Sequence, residues 1–348
     1  MILDVRNKPA KKLSMSVLVI LMIVTTISFF SAASWAQVRP ESQSRNTRLR
    51  VVYPSVSPTY SAAWIAQEGG YLKEQGLDVE YVYISGGSRV VQAMLAGEAP
   101  IVFAGGRALV NATLGGADLV MIAAVVNVPA YYLMALPEIQ SIQDLRGKKV
   151  GIIRIGETSD FAVRLVLRKA GLVPYKDVTL VQIGEQSSLA AALAARVIAA
   201  AAFVPPFNLQ VEKGGAKLLV DMAKIGAHYP HTSLVSSRRF LANSNETVRK
   251  YLIAYAKGLR RLVEDPSFSK TVLSRFTKTT EPQYHDTMYR FALDFIEKVP
   301  YPSREAILET IQESESPRAK TAKPEDFFDD QIVRDLDRQG YFPGKAKR

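Results

Sequence analysis

From residue 49 onward, the chain alternates short runs of β-branched and aromatic residues with longer stretches whose apolar residues recur at helical spacing. This alternation is typical of α/β proteins with a mainly parallel sheet, because each parallel connection needs a crossover helix. We predict helices over Thr59–Gln75 and Ser88–Ala96. The predicted strands around them are Leu49–Tyr53, Val79–Ile84, Ile101–Ala104, Leu119–Val126 and Tyr131–Leu136.

The same plan starts again near residue 141, where Ser141 and Asp144 have the spacing of a helix capping box. A second α/β module is therefore predicted, with strands Lys149–Ile155, Val178–Ile183, Val197–Val204 and Lys217–Asp221 and helices Ser159–Ala170 and Ser187–Ala195. After Ser237 only helical spacing remains. The predicted tail helices are Asn245–Glu264, Phe268–Phe276, Gln283–Lys298, Arg304–Gln312 and Glu325–Arg338.

The first 36 residues have the three-part layout of a secretory signal peptide. A lysine-containing start is followed by an apolar run over Met15–Phe30, and small residues precede Gln37. An uncleaved membrane anchor is the alternative, although the run is shorter than the ~20 residues that a spanning helix needs. No cysteine follows the run, which excludes a lipid anchor at that point. Residues 37–47 are polar and patternless and are predicted to form a flexible tether.

Small and hydroxyl-bearing residues follow the predicted strands at the points where helices begin. Ligands of open α/β sheets bind at this edge, where helix N-termini present unpaired N–H groups. A ring of neutral donors suits a small oxyanion, with Arg89 or Arg107 as a countercharge. Several of these residues could equally be plain helix caps or turn glycines, and the arginines could be solvated. The candidate ligand-binding residues are Ser55, Ser57, Thr59, Tyr60, Gly86, Gly87, Arg89, Gly105, Gly106, Arg107, Tyr131, Glu157, Thr158, Ser159, Gln186 and Pro206.

Signals for catalysis, metal binding and nucleic-acid binding are weak. The chain has no cysteine and three histidines, and the proline between His228 and His231 spoils a helical metal pair. No nucleophile elbow occurs. The formal charge of +11 is not gathered into basic runs interleaved with aromatic residues. We expect no enzyme activity, no cofactor, no metal and no nucleic-acid partner.

The stretch LRVVYPSVSPTYSAAWIAQEGGYLKEQGLDV, residues 49–79, resembles the opening of the nitrate/sulfonate/taurine-type substrate-binding proteins of ABC transporters. The residues of this chain that match the family motif are Ala66, Glu68, Gly70, Tyr71, Gly76, Leu77 and Val79. The stretch IQSIQDLRGKKVG, residues 139–151, is similar to the phrase that opens the second lobe of that family, and 191–207 resembles a later block. The pyrimidine-synthase relatives are enzymes that use a cysteine cluster, which this chain lacks.

The resemblance implies a type II periplasmic-binding-protein fold with two lobes joined by two crossing strands. Lobe 1 would comprise 48–136 plus 235–348, and lobe 2 would comprise 137–234. It further implies a periplasmic monomer that closes on a small, anionic organic solute and delivers it to an ABC permease and its ATPase. A ligand-sensing module of a receptor, or an exported enzyme on the same fold, are the alternatives.

Overall fold

The computed structural model describes residues 46–344, which form one compact unit. The predicted signal peptide over 1–36 and most of the predicted tether lie outside the described residues. Within the described range, no helix is long and apolar enough to cross a membrane.

The first sheet has five strands in the order β2-β1-β3-β10-β4. β10 is antiparallel to both of its neighbours, and the other strands run parallel to one another. Every residue of β4 is buried, as expected of a strand that is covered on both faces. The strands are β1 (Thr47–Tyr53), β2 (Leu77–Tyr83), β3 (Ile101–Ala104), β4 (Leu119–Val126) and β10 (Thr232–Ser237).

The second sheet repeats this plan in the order β7-β6-β8-β5-β9, with β5 as its antiparallel strand. The predicted α/β class with two mainly parallel sheets is confirmed. The strands are β5 (Tyr132–Ala135), β6 (Lys149–Ile152), β7 (Thr179–Gln182), β8 (Ala200–Phe203) and β9 (Lys217–Asp221).

Helices flank both sheets, and the predicted helical C-terminal tail is present. They are α1 (Ser61–Glu68), α2 (Tyr71–Glu74), α3 (Gly87–Leu95), α4 (Gly106–Leu114), α5 (Thr158–Lys169), α6 (Gln186–Ala194), α7 (Phe207–Lys213), α8 (Arg238–Asn243), α9 (Asn245–Glu264), α10 (Pro266–Thr277), α11 (Pro282–Phe295), α12 (Arg304–Gln312) and α13 (Gln331–Arg338).

Two helical predictions differ from the structure. The predicted helix over 59–75 is a 3-10 turn followed by α1 and α2, because Gly70 adopts a φ of 76° that breaks the helix between them. The predicted helix over 325–338 is likewise split, into a 3-10 turn over Pro324–Phe327 and α13. Sequence analysis missed α4 and β10 altogether.

The chain passes between the sheets twice, once between β4 and β5 and once between β9 and β10. The two passages run side by side: Tyr229 N–H donates to the Asn127 carbonyl, and His231 N–H donates to the Val126 carbonyl, both at 2.9 Å. β5 belongs to the second sheet, although residues through 136 were expected in lobe 1. All of β10 belongs to the first sheet, although residues through 234 were expected in lobe 2. The division into two lobes that move relative to each other stays a prediction.

Candidate functional site

The turns at the carboxyl ends of the parallel strands meet between the two sheets and enclose a cavity of about 40 Å³. That volume holds a few water molecules. The first-sheet side contributes Pro54, Ser55, Tyr60, Gly86, Gly87, Gly105 and Ala108. The second-sheet side contributes Ile153, Glu157, Thr158 and Ser159, and the passages between the sheets contribute Tyr131 and His231.

Two direct hydrogen bonds join the strand-end turns on the two sides of the cavity. Ser88 N–H, in the first turn of α3, donates to Glu157 Oε1 at 3.2 Å, and Ser85 Oγ donates to the Gly184 carbonyl at 3.3 Å. A second cavity of about 40 Å³ continues the gap and shares Pro54, Ser55 and Ile153 with the first. The gap is therefore closed, and an organic ligand of ordinary size enters it only when the two sides separate.

Aromatic side chains form the apolar part of the wall. Tyr60 is buried against Phe103, with ring centroids 5.0 Å apart, and its hydroxyl lies 3.2 Å from Ser55 Oγ. Burial raises the pKa of Tyr60 to about 12, so its phenol stays protonated at neutral pH. Tyr131 and His231 pack with their rings 4.7 Å apart where the two passages meet. Flat walls with hydroxyl groups at their edges suit a planar ligand.

His231 brings an unpaired ring nitrogen to this wall. The side chain is buried, and its Nδ1 has no hydrogen-bond partner among the described residues. Burial lowers the pKa of His231 to about 3, so the imidazole is neutral at physiological pH. A neutral imidazole offers one donor and one acceptor, and it adds no positive charge that would attract an anion.

Within residues 46–344, Glu157 is the one charged side chain that lines the first cavity, and it is 6% exposed. It stands at the N-cap position of α5, and its Oε1 is engaged by Ser88. Oε2 makes no hydrogen bond among the described residues. Arg154 Nε forms an ion pair with Oε1 at 3.9 Å, but Arg154 does not itself line the cavity. A ligand in this gap therefore meets a carboxylate rather than a cation.

Several predicted site residues lie elsewhere or are occupied by their own structure. Arg89 is exposed, and Arg107 lines a separate groove. Ser57 Oγ accepts from Thr59 N–H, and Gly106 N–H donates to the Pro230 carbonyl at 2.7 Å. Neither predicted arginine countercharge is thus in the cavity, and the cap alternative describes Ser57.

Among the remaining predictions, Ser159 lines the first cavity while its Oγ accepts from Ile153 N–H at 3.0 Å. Gln186 lines the second cavity, but its amide bonds the backbone of Ala202 and Val204. Pro206 is buried and lines neither cavity. The residues that lie together in the first cavity as predicted are Ser55, Tyr60, Gly86, Gly87, Gly105, Tyr131, Glu157, Thr158 and Ser159.

Four residues of the first cavity were not among the predicted site residues: Pro54, Ala108, Ile153 and His231. The sequence suggested His231 only as half of a metal-binding pair with His228. In the structure His228 is exposed, and only His231 of the two lines the cavity. Within residues 46–344, no group of three His, Asp or Glu side chains could hold a metal ion. His231 lies on the second passage between the sheets, directly before β10, a strand that the sequence pattern did not reveal.

Two repeated five-stranded sheets, joined by paired passages and enclosing a shared cavity, define the bilobed class of periplasmic-binding-protein folds. Residues 57–268, more than half of the chain, match the family model described as NMT1/THI5 like. The chain belongs to this family, and the matched region includes most of the cavity residues.

Relatives with binding-protein names support the same class. YtlA of Bacillus subtilis, named a binding protein, is 23% identical over 216 residues, which are 61% of this chain and 65% of YtlA. The formylaminopyrimidine-binding protein of Halalkalibacterium halodurans is 24% identical over 225 residues, 64% of this chain and 67% of the relative. The predicted solute-binding class agrees with these names.

The fold is also that of a solved nitrate-binding protein. The periplasmic protein NrtA of Synechocystis PCC 6803 superimposes with a TM-score of 0.69 at 13% identity, covering 86% of this chain and 91% of NrtA. The resemblance to nitrate/sulfonate/taurine-type binding proteins, stated from sequence motifs, is confirmed at the level of fold and family.

Proposed function

We propose that this protein is the exported solute-binding component of an ABC importer. We further propose that its solute is a small, planar nitrogen compound, neutral or cationic, that donates N–H groups to Glu157. The observation that carries the second part is the buried Glu157 carboxylate, which faces the cavity with one oxygen unpaired. A buried carboxylate repels an anionic ligand and gains most from N–H donors or a positive charge.

The other cavity groups are neutral and suit the same ligand. Tyr60, Tyr131 and His231 supply flat walls with hydroxyl and imidazole groups, and Ser55 and Thr158 supply hydroxyl groups. This chemistry differs from the anionic solute expected from the sequence, because neither Arg89 nor Arg107 reaches the cavity. The printed name of the Halalkalibacterium relative, which binds a formylaminopyrimidine, is consistent with a planar nitrogen ligand.

Delivery to a permease and an ATPase is part of the proposal, and closure provides the physical signal. A ligand that contacts both sides of the gap favours the closed arrangement by binding it more tightly than the open one. Contacts such as Ser88–Glu157 are then completed, and the transporter distinguishes the closed surface from the open one. Export through cleavage near residue 36 is part of the proposal, and N-terminal sequencing of the protein recovered from the periplasm tests it.

The ligand proposal is tested by thermal shift against two panels, followed by titration calorimetry of every hit. One panel contains aminopyrimidines, cytosine and small amines; the other contains nitrate, taurine, alkanesulfonates and aromatic carboxylates. A ligand that binds the folded state raises the melting temperature, which identifies a hit. We expect hits from the first panel because Glu157 presents a carboxylate to the cavity. Recovery of the hit unchanged after incubation separates binding from turnover.

Glu157→Gln provides the matched variant, and Glu185→Gln provides its control. Glu185 occupies the corresponding N-cap position of α6 but is exposed, and it lines only the second cavity. We expect Glu157→Gln to weaken binding of the hit at least tenfold and Glu185→Gln to leave it within twofold. Hits confined to anions, bound more tightly by Glu157→Gln, would overturn the ligand assignment.

A further inference from the structure

A groove of about 550 Å³ lies beside the cleft cavity and is lined from both sheets. Arg107 and Asn111 of α4 form one wall together with residues 314–316. Asp160 and Arg164 of α5 and Tyr175 form the other wall. Tyr229 separates the groove from the cavity: its hydroxyl donates to Thr158 Oγ1 and accepts from Arg107 N–H, both at 3.3 Å.

Arg107 carries a buried charge that has no partner among the described residues. Its side chain is about nine-tenths buried, at 9% exposure, and Nε and Nη1 are shielded from solvent without a hydrogen bond. No carboxylate of the described residues lies within 4 Å of it. Nη2 is not among these shielded, unpaired atoms, and Arg107 lines the groove. A buried guanidinium is ordinarily paired, because the loss of its hydration is unfavourable unless an opposite charge offsets it.

Of the other charged groups of the groove, Glu315 is exposed to solvent, and the buried Asp160 and the largely buried Arg164 already have partners. Asp160 Oδ2 accepts from Gly156 N–H at 2.9 Å, and its Oδ1 accepts from the Tyr175 hydroxyl at 3.1 Å. Arg164 lies 3.7 Å from both Asp160 and Glu313, and Glu313 also binds Arg168 at 2.8 Å. The excess positive charge on the buried wall is therefore that of Arg107.

We propose that this groove is a second ligand site, which binds a small oxyanion, a phosphate or a carboxylate, at Arg107. The guanidinium supplies charge-assisted hydrogen bonds through Nη2. Asn111 lies one helical turn away; its Oδ1 accepts from Ser314 Oγ at 3.1 Å, and its Nδ2 has no partner among the described residues. The volume is ample for such an anion and leaves it accessible to solvent.

The position of the site has a consequence for closure. Its walls come from both sides of the gap, so an anion that contacts both favours the closed arrangement and strengthens binding in the neighbouring cavity. This coupling is separate from the identity of the cleft ligand, and the oxyanion site does not depend on it.

The test uses inorganic phosphate as the probe, with sulfate and acetate as further arms, each compared with chloride at equal ionic strength. We expect millimolar phosphate to raise the melting temperature of the wild-type protein by a few degrees, since a ligand of the folded state stabilises it. Acetate acting as well as phosphate would assign a carboxylate. Arg107→Gln should abolish the shift, whereas the control Arg89→Gln, which removes an exposed arginine, should retain it.

Asn111→Asp serves as an independent variant. It places a carboxylate four residues after Arg107 on the same helix, a spacing at which such pairs interact. We expect a higher melting temperature without phosphate and no further rise with it. A phosphate shift that persists in Arg107→Gln or in Asn111→Asp, or equal shifts in all salts, would overturn the proposal.

Discussion

Gly105 and Thr158 meet across the gap between the two sheets without room for a side chain on Gly105. A Cβ built on Gly105 would lie 2.2 Å from Thr158 Oγ1, the atom that accepts the Tyr229 hydroxyl hydrogen bond. Gly105 has a φ of −78°, which any residue adopts, so the glycine is needed here for close approach and not for backbone freedom. The contact requires a residue without a side chain at the start of α4.

Gly105→Ala should weaken binding of the cleft ligand while leaving the ligand-free protein stable. The added methyl group forces Thr158 to rotate and give up its bond to Tyr229, or it holds the sheets apart. Either cost is about 1 kcal/mol, which corresponds to about fivefold in affinity. Titration calorimetry measures the affinity, and small-angle scattering with saturating ligand reports whether the protein still closes.

Gly87→Ala is the matched control for that prediction. Gly87 lines the same cavity, but a Cβ there would meet only ordinary contacts, the nearest being Ala108 Cβ at 3.6 Å. We expect its affinity to stay within twofold of the wild-type value. Equal losses in the two variants would show that the approach of Gly105 to Thr158 is not what limits closure.

The sequence was sufficient to place the cavity but not to say which side chains face it. Hydroxyl and glycine residues after parallel strands predicted that edge, and Ser55, Gly86, Gly105 and Thr158 do line the cavity. Local pattern carries this information because strand ends and helix starts are encoded by neighbouring residues.

Side-chain direction depends on contacts that are distant in the chain, and there the sequence was insufficient. Arg107 begins a helix at the cavity, yet its side chain turns into the groove beside Tyr175. His231 reaches the cavity because β10 returns to the first sheet, a strand that the pattern did not reveal. Both outcomes follow from tertiary packing, which residue periodicity does not report.

Glu313→Gln should weaken the cleft ligand modestly and in a salt-dependent way. Glu313 follows α12, and its carboxylate binds Arg168 of α5 at 2.8 Å across the gap. Both side chains are about one-third exposed, so the pair contributes less than about 1 kcal/mol to closure. We expect the dissociation constant to rise two- to fivefold at low salt, as measured by calorimetry. In 1 M sodium chloride the variant and the wild-type protein should converge, because screening removes the pair.

His231 should make the protein less stable as the pH falls below neutral. Burial lowers the pKa of His231 from 6.5 to about 3, so the unfolded chain takes up a proton that the folded protein excludes. The free energy of unfolding is highest above pH 6.5 and declines as the pH falls towards 3. Between pH 7 and pH 5 the loss amounts to up to about 2 kcal/mol. Urea unfolding at the two pH values measures it.

His231→Gln removes this titration and should give a smaller pH dependence over the same interval. The exposed His228→Gln is the control and should retain the wild-type slope. A slope unchanged in His231→Gln would mean that the buried imidazole is not the group that takes up the proton.

Gly258→Ala should destabilise the protein even though alanine is the better helix former. Gly258 lies in α9 where that helix crosses α1, and an added Cβ would stand 2.1 Å from the Ala62 carbonyl oxygen and 2.9 Å from the Ala66 nitrogen. Both atoms are backbone, so the helices must separate. We expect the free energy of unfolding to fall by about 3 kcal/mol, exceeding the ~1 kcal/mol gain in helix propensity. Urea denaturation measures the change.

Glu246→Ala, on an exposed position of the same helix, is the control and should change the free energy of unfolding by less than about 1 kcal/mol. A stabilised Gly258→Ala would show that α1 and α9 do not pack this closely.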